Sequence, residues 1–317
     1  MLSLASVKSA RERIAGRVHV TPVMSSTRLG DRVGVRLLLK CENFQKTGSF
    51  KARGALNYMS QLGSSERERG VVTFSAGNHA QALAWASRIT GIRATVVMPA
   101  KASPLKAAAS REYGADVVLF GANGMEALGK ARELQRDRDL QFAPPFDHEH
   151  VMAGQGTAGL ELLDQVSDLD AVVVPVGGGG LIGGLLVAIK ESNPKIRVYG
   201  VEPTGAAAMR RSIDAGHPIT LDSVSTIADG LAAPMAGELT FEVVKRYADD
   251  VVTLDDDVIA QALRDLMMNA KLVVEPAGAA AVAAVLARAI PLGQGQRVAA
   301  IVSGGNVDAA RLATLLG

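Results

Sequence analysis

Short apolar runs alternate with longer segments of helical periodicity along most of the chain. The runs are rich in Val and Ile, which is typical of strands buried on both faces. Predicted strands are Val35–Cys41, Val71–Ser75, Ala94–Val97, Asp116–Leu119, Ala171–Val176, Val198–Val201 and Val298–Val302. Predicted helices are Ser49–Leu62, Asn78–Ile89, Pro104–Tyr113, Met125–Asp137, Gly154–Val166, Leu181–Glu191, Asp257–Asn269, Ala277–Ala289 and Val307–Leu316. The alternation predicts an α/β protein with mostly parallel sheets flanked by helices.

The order of these elements suggests two α/β units. Strands and helices alternate without interruption from Val71 to Leu140, and Pro144 and Pro145 mark the end of that block. The stretch Ala206–Gly237 has the least regular pattern, so we predict a surface loop there.

Composition narrows the class of protein. The 317 residues are 48% hydrophobic and 21% charged, with a formal net charge of +2 and only 7 Phe, 4 Tyr and 1 Trp. This balance has neither the basic surface nor the aromatic residues that nucleic-acid binding requires. No apolar run is long enough to span a membrane. Cys41 is the only cysteine, so we predict no intrachain disulfide and a buried apolar role for Cys41. The first 14 residues alternate charges instead of holding an apolar core, so a cytoplasmic protein is expected.

Four consecutive glycines, Gly177–Gly180, lie between a predicted strand and a predicted helix. Glycines at such a turn leave backbone N–H groups open to a ligand, and the start of a helix attracts anions. We therefore predict a phosphate site here.

The glycine run alone leaves the owner of the phosphate open. A nucleotide-binding P-loop needs Lys and then Ser or Thr after the glycines, where this chain has Leu181 and Ile182. A dinucleotide site also fits, because Gly178, Gly180 and Gly183 match its glycine pattern and Glu202 follows at a suitable distance. A different phosphorylated cofactor, or a tight turn that binds nothing, would account for the glycines equally well.

Lys51 is a candidate nucleophile. Ser49 is expected to be the N-cap of the helix that follows, which places Lys51 in the first helical turn. The helix dipole there disfavours a cation, and burial would lower the lysine pKa further toward the neutral amine that forms Schiff bases. The alternative is an ordinary solvent-exposed lysine.

Two further segments follow predicted strands. Ser75-Ala76-Gly77-Asn78-His79 opens a helix and suits a carboxylate, with a structural or orienting role for His79. Ser303-Gly304-Gly305-Asn306 offers a hydroxyl that can meet a ring nitrogen, beside glycines that allow close approach. Since ligands of open α/β sheets bind at the carboxyl ends of strands, we expect these segments to converge.

Together these segments resemble the motifs of the serine/threonine dehydratases, which are pyridoxal-phosphate enzymes of the tryptophan synthase β-like fold. The resemblance covers nearly the whole chain. It is carried by 45–54, 75–81, 154–157, 175–180, 227–230, 275–278 and 303–308. It implies two open, twisted, mostly parallel sheets with the cofactor between a large domain, 1–54 and 145–317, and an inserted small domain, 55–144. It also argues against a dinucleotide as the owner of the phosphate at the glycine run.

The resemblance also implies roles for individual residues. Lys51 would form the Schiff base with pyridoxal 5'-phosphate and take the α-proton of the substrate. The other implied cofactor contacts are Phe50 beside the ring, Asn78 at its 3-oxygen, Ser303 at its nitrogen with Gly304 next to it, and Gly177, Gly178, Gly179, Gly180 and Leu181 around the phosphate. The substrate carboxylate would lie against Ser75, Ala76, Gly77, Asn78 and His79, through backbone N–H groups.

Two positions depart from the family pattern. Serine racemases of the family carry a serine where this chain has Ala76, so racemisation should be slow. Members that bind a divalent cation use a Glu, a carbonyl and an Asp. Glu202 and Ala206 match, but Ala208 replaces the Asp, which leaves open whether a divalent or monovalent cation binds.

The resemblance predicts a lyase that acts on a small β-hydroxy amino acid. L-Threonine, and with it L-serine, is the expected substrate, giving 2-oxobutanoate or pyruvate and ammonia. The alternatives are another β-hydroxy amino acid, such as phenylserine or 3-hydroxyaspartate, and amino-acid racemisation. A homodimer or homotetramer is expected, without the C-terminal regulatory domain of longer threonine dehydratases, because the chain ends at Gly317.

Overall fold

The computed structural model describes residues 2–317, apart from the side chain of Leu105, and residue 1 of the predicted large domain lies outside it. The strands are β1 Val23–Ser25, β2 Arg36–Cys41, β3 Val71–Phe74, β4 Ala94–Met98, β5 Asp116–Leu119, β6 Gln141–Phe142, β7 Ala171–Pro175, β8 Arg197–Pro203, β9 Asp250–Leu254 and β10 Arg297–Val302. The helices are α1 Leu4–Ile14, α2 Thr27–Asp31, α3 Lys51–Ser60, α4 Ser64–Arg69, α5 Asn78–Thr90, α6 Pro104–Glu112, α7 Gly124–Asp137, α8 Glu149–Gln165, α9 Gly180–Lys190, α10 Ala208–Ala215, α11 Glu238–Tyr247, α12 Asp256–Asp265, α13 Pro276–Leu286 and α14 Ala309–Leu316. None of the described helices is long and apolar enough to cross a membrane.

Six strands form the first sheet, in the order β1-β2-β10-β7-β8-β9. Among these described strands, only the pairing of β1 with β2 is antiparallel. Both faces are buried: Val173 and Val201 belong to the core that includes α13, and Val172 and Val174 to the core that includes α9. Burial on both faces explains why the central strand β7 is a continuous, fully buried apolar run without polar alternation.

The second sheet has the order β5-β4-β3-β6, and all of its pairs are parallel. Val71 and Val96 face the core that contains α5, whereas Val72 and Val97 face α7. The predicted fold class, two mostly parallel sheets flanked by helices, is confirmed. The strands of this second sheet fall between residues 71 and 142, within the predicted small domain, whose boundaries at 55 and 144 stay a prediction.

The sequence pattern missed three strands, β1, β6 and β9. The first two have three and two residues, too few for a periodicity to show. In β9 the burial pattern is mixed because the strand lies at the edge of the first sheet. Each of these three strands is paired with one longer strand: β1 with β2, β6 with β3, and β9 with β8.

The predicted surface loop Ala206–Gly237 is wrong in part. It contains helix α10, of which Ala208, Met209 and Ser212 are buried. Both carboxylate oxygens of Glu202 accept backbone N–H groups at the start of this helix, from Met209 at 2.8 Å and Arg210 at 2.7 Å. Because this acceptor lies on β8, outside the helix sequence, the local sequence pattern could not predict the start of α10.

Glycines allow the helices beneath the first sheet to pack closely. A Cβ on Gly184 of α9 would lie 2.2 Å from the carbonyl oxygen of Met152 and 2.6 Å from the nitrogen of Gly156, both on α8. A Cβ on Gly154 of α8 would lie 2.6 Å from the Cα of Gly54 on α3. Helix α8 is therefore in near backbone contact with both neighbours.

We predict that Gly184→Ala destabilises the protein by about 1–3 kcal/mol, because the new methyl group meets backbone atoms that cannot move aside easily. Gly129→Ala is the matched control: it is an exposed helical glycine with nothing within 4 Å of the added Cβ, and it should stabilise by about 0.5–1 kcal/mol. Urea unfolding of both variants measures the difference. Equal stability of the two would show that α8 and α9 separate readily.

Candidate active site

A cavity of about 380 Å³ opens where the carboxyl ends of the two sheets meet. Residues that follow β3, β7 and β10 line it, together with the start of α3. The predicted site residues found in its wall are Phe50, Lys51, Ser75, Ala76, Gly77, Asn78, His79, Gly177, Gly178, Gly179, Gly180, Leu181 and Ser303. The expected convergence of these segments is thus present in the structure.

Lys51 begins α3, and its amine reaches the cavity. Its Nζ donates to the carbonyl oxygen of Pro145 at 2.7 Å and lies 5.2 Å from the centroid of the Phe50 ring. Burial lowers the pKa of the Lys51 ammonium from 10.5 to about 8, since the protein replaces its hydration incompletely. A sizeable fraction of the amine is therefore neutral near pH 8, the form that attacks a carbonyl carbon.

The segment before Lys51 is paired with the segment after β10. The N–H of Phe50 donates to the Ser303 carbonyl at 3.1 Å, the N–H of Gly305 donates to the Gly48 carbonyl at 2.9 Å, and Ser49 and Gly304 form an antiparallel bridge. The expected N-cap role of Ser49 is wrong: the cap residue is Phe50, and the buried Ser49 Oγ has no hydrogen-bond partner within residues 2–317. The start of α3 is therefore held by backbone pairing with the segment after β10, and not by a side-chain cap.

The glycine turn has the geometry of an anion site. The N–H groups of Gly178, Gly179, Gly180 and Leu181 have no protein acceptor within the described part of the chain, and they lie at the N-terminus of the eleven-residue helix α9. Gly179 has φ +92°, a conformation that L side chains rarely adopt. Free donors at the positive end of a helix suit a phosphate group.

The same glycines also satisfy a packing requirement. A Cβ on Gly178 would lie 2.4 Å from the Phe146 ring, and one on Gly180 would lie 2.9 Å from Phe146 Cβ. Phe146 itself lines the cavity. The turn therefore requires glycine for two reasons: close packing against Phe146, and N–H groups left accessible to a ligand.

The predicted carboxylate contacts need one correction. The N–H of Ser75 donates to the Val97 carbonyl at 3.0 Å, as part of the second sheet, and the N–H of Gly77 donates to Ser75 Oγ at 3.1 Å. In the described structure the N–H groups of Ala76, Asn78 and His79 have no such acceptor. The expectation that the Ser75 N–H binds a carboxylate is therefore wrong, because the sheet already uses that donor.

His79 belongs to a buried hydrogen-bonded group behind the cavity wall. Its Nε2 lies 3.1 Å from Thr73 Oγ1 and 3.4 Å from the Ala143 carbonyl oxygen. Burial, and then the charge of Lys51, lower the pKa of His79 from 6.5 to about 3. The imidazole is therefore neutral at physiological pH, and its contacts orient the start of α5.

A chain of hydrogen bonds fixes the orientation of the Asn78 amide. Asn78 Nδ2 donates to Glu275 Oε1 at 2.6 Å, and Asn78 Oδ1 accepts from Asn306 Nδ2 at 2.8 Å. Asn306 also donates to the Thr47 carbonyl at 2.7 Å. Burial raises the pKa of Glu275 from 4.5 to about 7, so this carboxyl titrates close to neutral pH.

Ser303 and Gly304 serve different purposes. Ser303 lines the cavity and its Oγ donates to the Ala277 carbonyl at 3.2 Å. Gly304 is next to Ser303 but is not among the cavity-lining residues, and its contact with the cofactor stays a prediction. A Cβ there would lie 2.4 Å from Glu275 Oε1, so the glycine makes room for that carboxyl.

The suggested cation site is not assembled as expected. Glu202 is fully buried and both of its oxygens accept the backbone N–H groups at the start of α10. Ala208 brings no carboxylate, and no group of three or more His, Cys, Asp and Glu side chains that could hold a metal ion occurs within residues 2–317. Binding of a cation through Glu202 and Ala206 stays a prediction.

The cavity is also lined by three charged residues that were not predicted from the sequence: Lys106, Asp229 and Glu275. Glu275 and Asp229 belong to segments that carried the resemblance, but neither segment shows from sequence alone that it reaches the cavity. The available sequence signal for Glu275 was its position directly before Pro276, the first residue of α13. An acidic residue is common at any helix start, so this signal alone does not indicate a cavity residue. Lys106 on α6 comes near the cavity only through packing of the second sheet against the first.

The geometry defines a site for a small phosphorylated carbonyl cofactor, with a phosphate-binding turn on one side and a buried amine on the other. The sequence profile of the family described as pyridoxal-phosphate dependent enzymes matches residues 14–304. The L-threonine ammonia-lyase of Thermotoga maritima is 45% identical over 97% of this chain and 76% of its own length. The catabolic L-threonine dehydratase of Escherichia coli is 40% identical over 100% of this chain and 96% of its own length.

A solved structure agrees with these sequence relatives. Maize serine racemase superposes with a TM-score of 0.95 at 40% identity, covering 99% of this chain and 96% of that chain. The chain belongs to the family of pyridoxal-phosphate dependent enzymes, and its cofactor is pyridoxal 5'-phosphate. The cavity fits this group, since free N–H groups of the glycine turn can take the phosphate and the Lys51 amine can take the aldehyde.

We predict that Lys51 titrates with a midpoint near pH 8 in the folded protein freed of cofactor. Competitive labelling with acetic anhydride, read on the peptide that contains Lys51, should show reactivity falling about tenfold per pH unit below that midpoint. The same lysine in urea-unfolded protein is the control and should titrate near 10.5. A midpoint near 10.5 in the folded protein would contradict the burial of the amine.

Proposed function

We propose that this enzyme is an ammonia-lyase that converts L-threonine to 2-oxobutanoate and ammonia, and L-serine to pyruvate and ammonia. The observation that carries the proposal is the wall at 75–79, which presents backbone donors and the apolar Ala76 to the cavity that Lys51 enters. The names of the Thermotoga maritima and Escherichia coli relatives support the substrate.

The proposed roles follow from the contacts in the cavity. Pyridoxal phosphate, when bound, supplies an aldehyde that bonds to amines and a conjugated ring that stabilises negative charge at the substrate Cα. The N–H groups of Gly178–Leu181, which have no protein acceptor in the described chain, would hold its phosphate. Asn78, oriented by Glu275 and Asn306, would present its amide to the ring oxygen.

Lys51 is the proposed catalytic residue. Its neutral amine would hold the cofactor through the aldehyde, and with substrate bound the free Nζ would act as the base that takes the proton from Cα. The Pro145 carbonyl accepts a hydrogen bond from this amine and can keep it within the cavity. Ser303 would meet the ring nitrogen with a neutral hydroxyl, which would enforce less positive charge there than a carboxylate.

Ala76 limits the reaction to elimination in this proposal. Racemisation requires a group on the opposite face of Cα to return a proton, and a methyl side chain cannot do so. The substrate carboxylate is held by the free N–H groups of Ala76, Asn78 and His79 at the start of α5.

We also infer a homodimer or homotetramer in the cytoplasm. Phe44, Met268 and Val273 are large apolar side chains left about half exposed or more, and Phe44 follows Asn43, whose Nδ2 lies 3.4 Å from the Val273 carbonyl oxygen. The exposed apolar side chains of Phe44 and Val273, in segments joined by this contact, support an interface with a second copy. The lone thiol, Cys41, is buried and unpaired, which suits a reducing compartment.

L-Threonine should give the highest kcat/KM among L-threonine, L-serine, L-threo-phenylserine and L-threo-3-hydroxyaspartate. Quantifying the 2-oxo acid and ammonia formed from each substrate measures this. Lys51→Ala should lower turnover of L-threonine by more than about 10³-fold, since it removes both the nucleophile and the base. A higher kcat/KM for 3-hydroxyaspartate or phenylserine would refute threonine as the preferred substrate.

Ala76→Ser should increase formation of D-serine from L-serine while leaving 2-oxo acid production within about tenfold of the original enzyme. The reason is that the new hydroxyl lies in the cavity wall and can return a proton to Cα. Ala232→Ser is the matched control, because it adds a hydroxyl to another cavity-lining alanine. Chiral chromatography of the product amino acid decides the outcome. No gain in D-serine with Ala76→Ser would show that a hydroxyl at this position is insufficient.

A further inference from the structure

Four charged side chains are buried together behind the start of α3, outside the cavity. Lys40, Glu42 and Arg53 have no exposed surface, and Glu161 is 8% exposed. Lys40 lies on β2, Glu42 directly after it, Arg53 on α3 and Glu161 on α8. Two cations and two anions balance, so the cluster is neutral overall when all four are ionised.

Arg53 is the centre of this buried cluster. Its Nε and Nη2 donate to the two oxygens of Glu42 at 2.7 and 2.8 Å, and its Nη1 and Nη2 donate to the two oxygens of Glu161 at 2.6 and 2.7 Å. It also donates to Thr157 Oγ1 at 3.1 Å and to the His19 carbonyl at 3.2 Å. The planar guanidinium thus binds two carboxylates in bidentate geometry, which a lysine ammonium cannot reproduce.

Further side chains hydrogen-bond to the two carboxylates or to their partners. Lys40 Nζ donates to Glu161 Oε2 at 2.8 Å and to Gln165 Oε1 at 2.9 Å, and the Thr21 hydroxyl donates to Glu42. Burial by itself would raise the pKa of Glu42, but the charges of Arg53 and Lys40 outweigh it and hold that pKa below its usual value. Glu42 is therefore an anion in the folded protein.

Arg53 and Lys51 are two residues apart in the first turn of α3. Successive helical residues are rotated by about 100°, so these two side chains leave the helix about 200° apart. The side of α3 opposite Lys51 is therefore held by hydrogen bonds to Glu42, directly after β2, and to Glu161 on α8. Asn57, one turn further on the Arg53 side, donates to the His150 carbonyl at 2.7 Å.

A buried ion cluster contributes little net stability to the fold, because the cost of desolvating the charges offsets most of their attraction. Its directional hydrogen bonds do, however, restrict how α3 can rotate and slide. A rotation of α3 would carry the Lys51 amine away from the glycine turn on the far side of the cavity.

We propose that Arg53 is a positioning residue, which sets the rotation of α3 through Glu42 and Glu161 and thereby places the Lys51 amine for reaction with the cofactor aldehyde. The inference depends on the proposed role of Lys51. Because a displacement of about 1 Å can cost about 10²-fold in rate, loss of the guanidinium should slow covalent capture of the cofactor at Lys51 by about 10- to 100-fold.

The test separates positioning from folding by using a charge-balanced variant. Arg53→Met leaves two buried carboxylates facing one lysine, whereas the double variant Arg53→Met/Glu42→Gln retains only Lys40 and Glu161, whose charges cancel. Each is prepared without cofactor and examined by urea unfolding. The rate of capture of pyridoxal phosphate is followed by absorbance near ~410–430 nm and by borohydride trapping, with the modified peptide identified by mass.

Binding of pyridoxine 5'-phosphate, which lacks the aldehyde, reports on the phosphate turn independently of Lys51. We expect the double variant to fold and to bind this analogue within about twofold of the original protein, yet to capture pyridoxal phosphate about 10- to 100-fold more slowly. Arg53→Lys, which keeps the charge but not the bidentate geometry, should show the same defect and replaces the double variant if that does not fold. Arg11→Met, which removes an exposed ion pair with Asp164 of α8, is the control and should change neither rate.

Capture at the original rate in the double variant, or in Arg53→Lys, would overturn the positioning role of Arg53. An equal loss of pyridoxine phosphate binding would also overturn it, because the whole cavity would then be distorted. The unmodified protein tests the underlying role of Lys51 separately. If its borohydride-trapped cofactor is found on another lysine, the proposed role of Lys51 fails before any variant is considered.

Discussion

Pairing between the segment before α3 and the segment after β10 is the interaction on which the site depends. It consists of two backbone hydrogen bonds that flank the bridge of Ser49 with Gly304. Because of it, Lys51 and Ser303 keep a fixed separation across the cavity. Neither segment forms a strand of the sheet or an α-helix, and each is ordered by the other and by the parallel strands β2 and β10 that precede them.

The parallel arrangement of strands explains why so many functional groups meet here. Strands β2, β10 and β7 are neighbours in the first sheet and run in the same direction, so the residues that follow them emerge at one edge. The second sheet points the carboxyl end of β3 at the same cavity and supplies Ser75–His79. The first sheet thus supplies the glycine turn and Ser303, and the second supplies Asn78 together with the free N–H groups at the start of α5.

Buried polar groups in this protein divide into two kinds. The group around Arg53 is charge-balanced and extensively hydrogen-bonded, as expected of ions held in a core. The groups at the cavity are instead kept in their neutral forms or close to them: burial lowers the pKa values of Lys51 to about 8 and of His79 to about 3, and raises that of Glu275 to about 7. Desolvation acts on both kinds, but in the first it is offset by hydrogen-bonded counter-charges, whereas at Glu275 the charge of Lys106 does not overcome burial.

Most of the architecture could be predicted from the sequence because it depends on local, repeated signals. Buried Val and Ile runs indicated the long parallel strands, and glycine runs at strand ends indicated the cavity wall. Short elements escaped detection: β1 and β6 have too few residues to show a pattern, and α10 depends on Glu202, an acceptor that lies on β8.

The sequence by itself determined the class of fold, the glycine turn and the candidate lysine, because these are properties of contiguous residues. Only the tertiary structure decided which donors are still free, since the Ser75 N–H is used by β4 and the Gly304 site is filled by Glu275. It alone also showed that Asn78 is hydrogen-bonded to Glu275 and Asn306, and Lys51 to the Pro145 carbonyl, all of them distant in the chain. The physical reason is that hydrogen bonding and desolvation depend on neighbours brought together by packing, which no local pattern encodes.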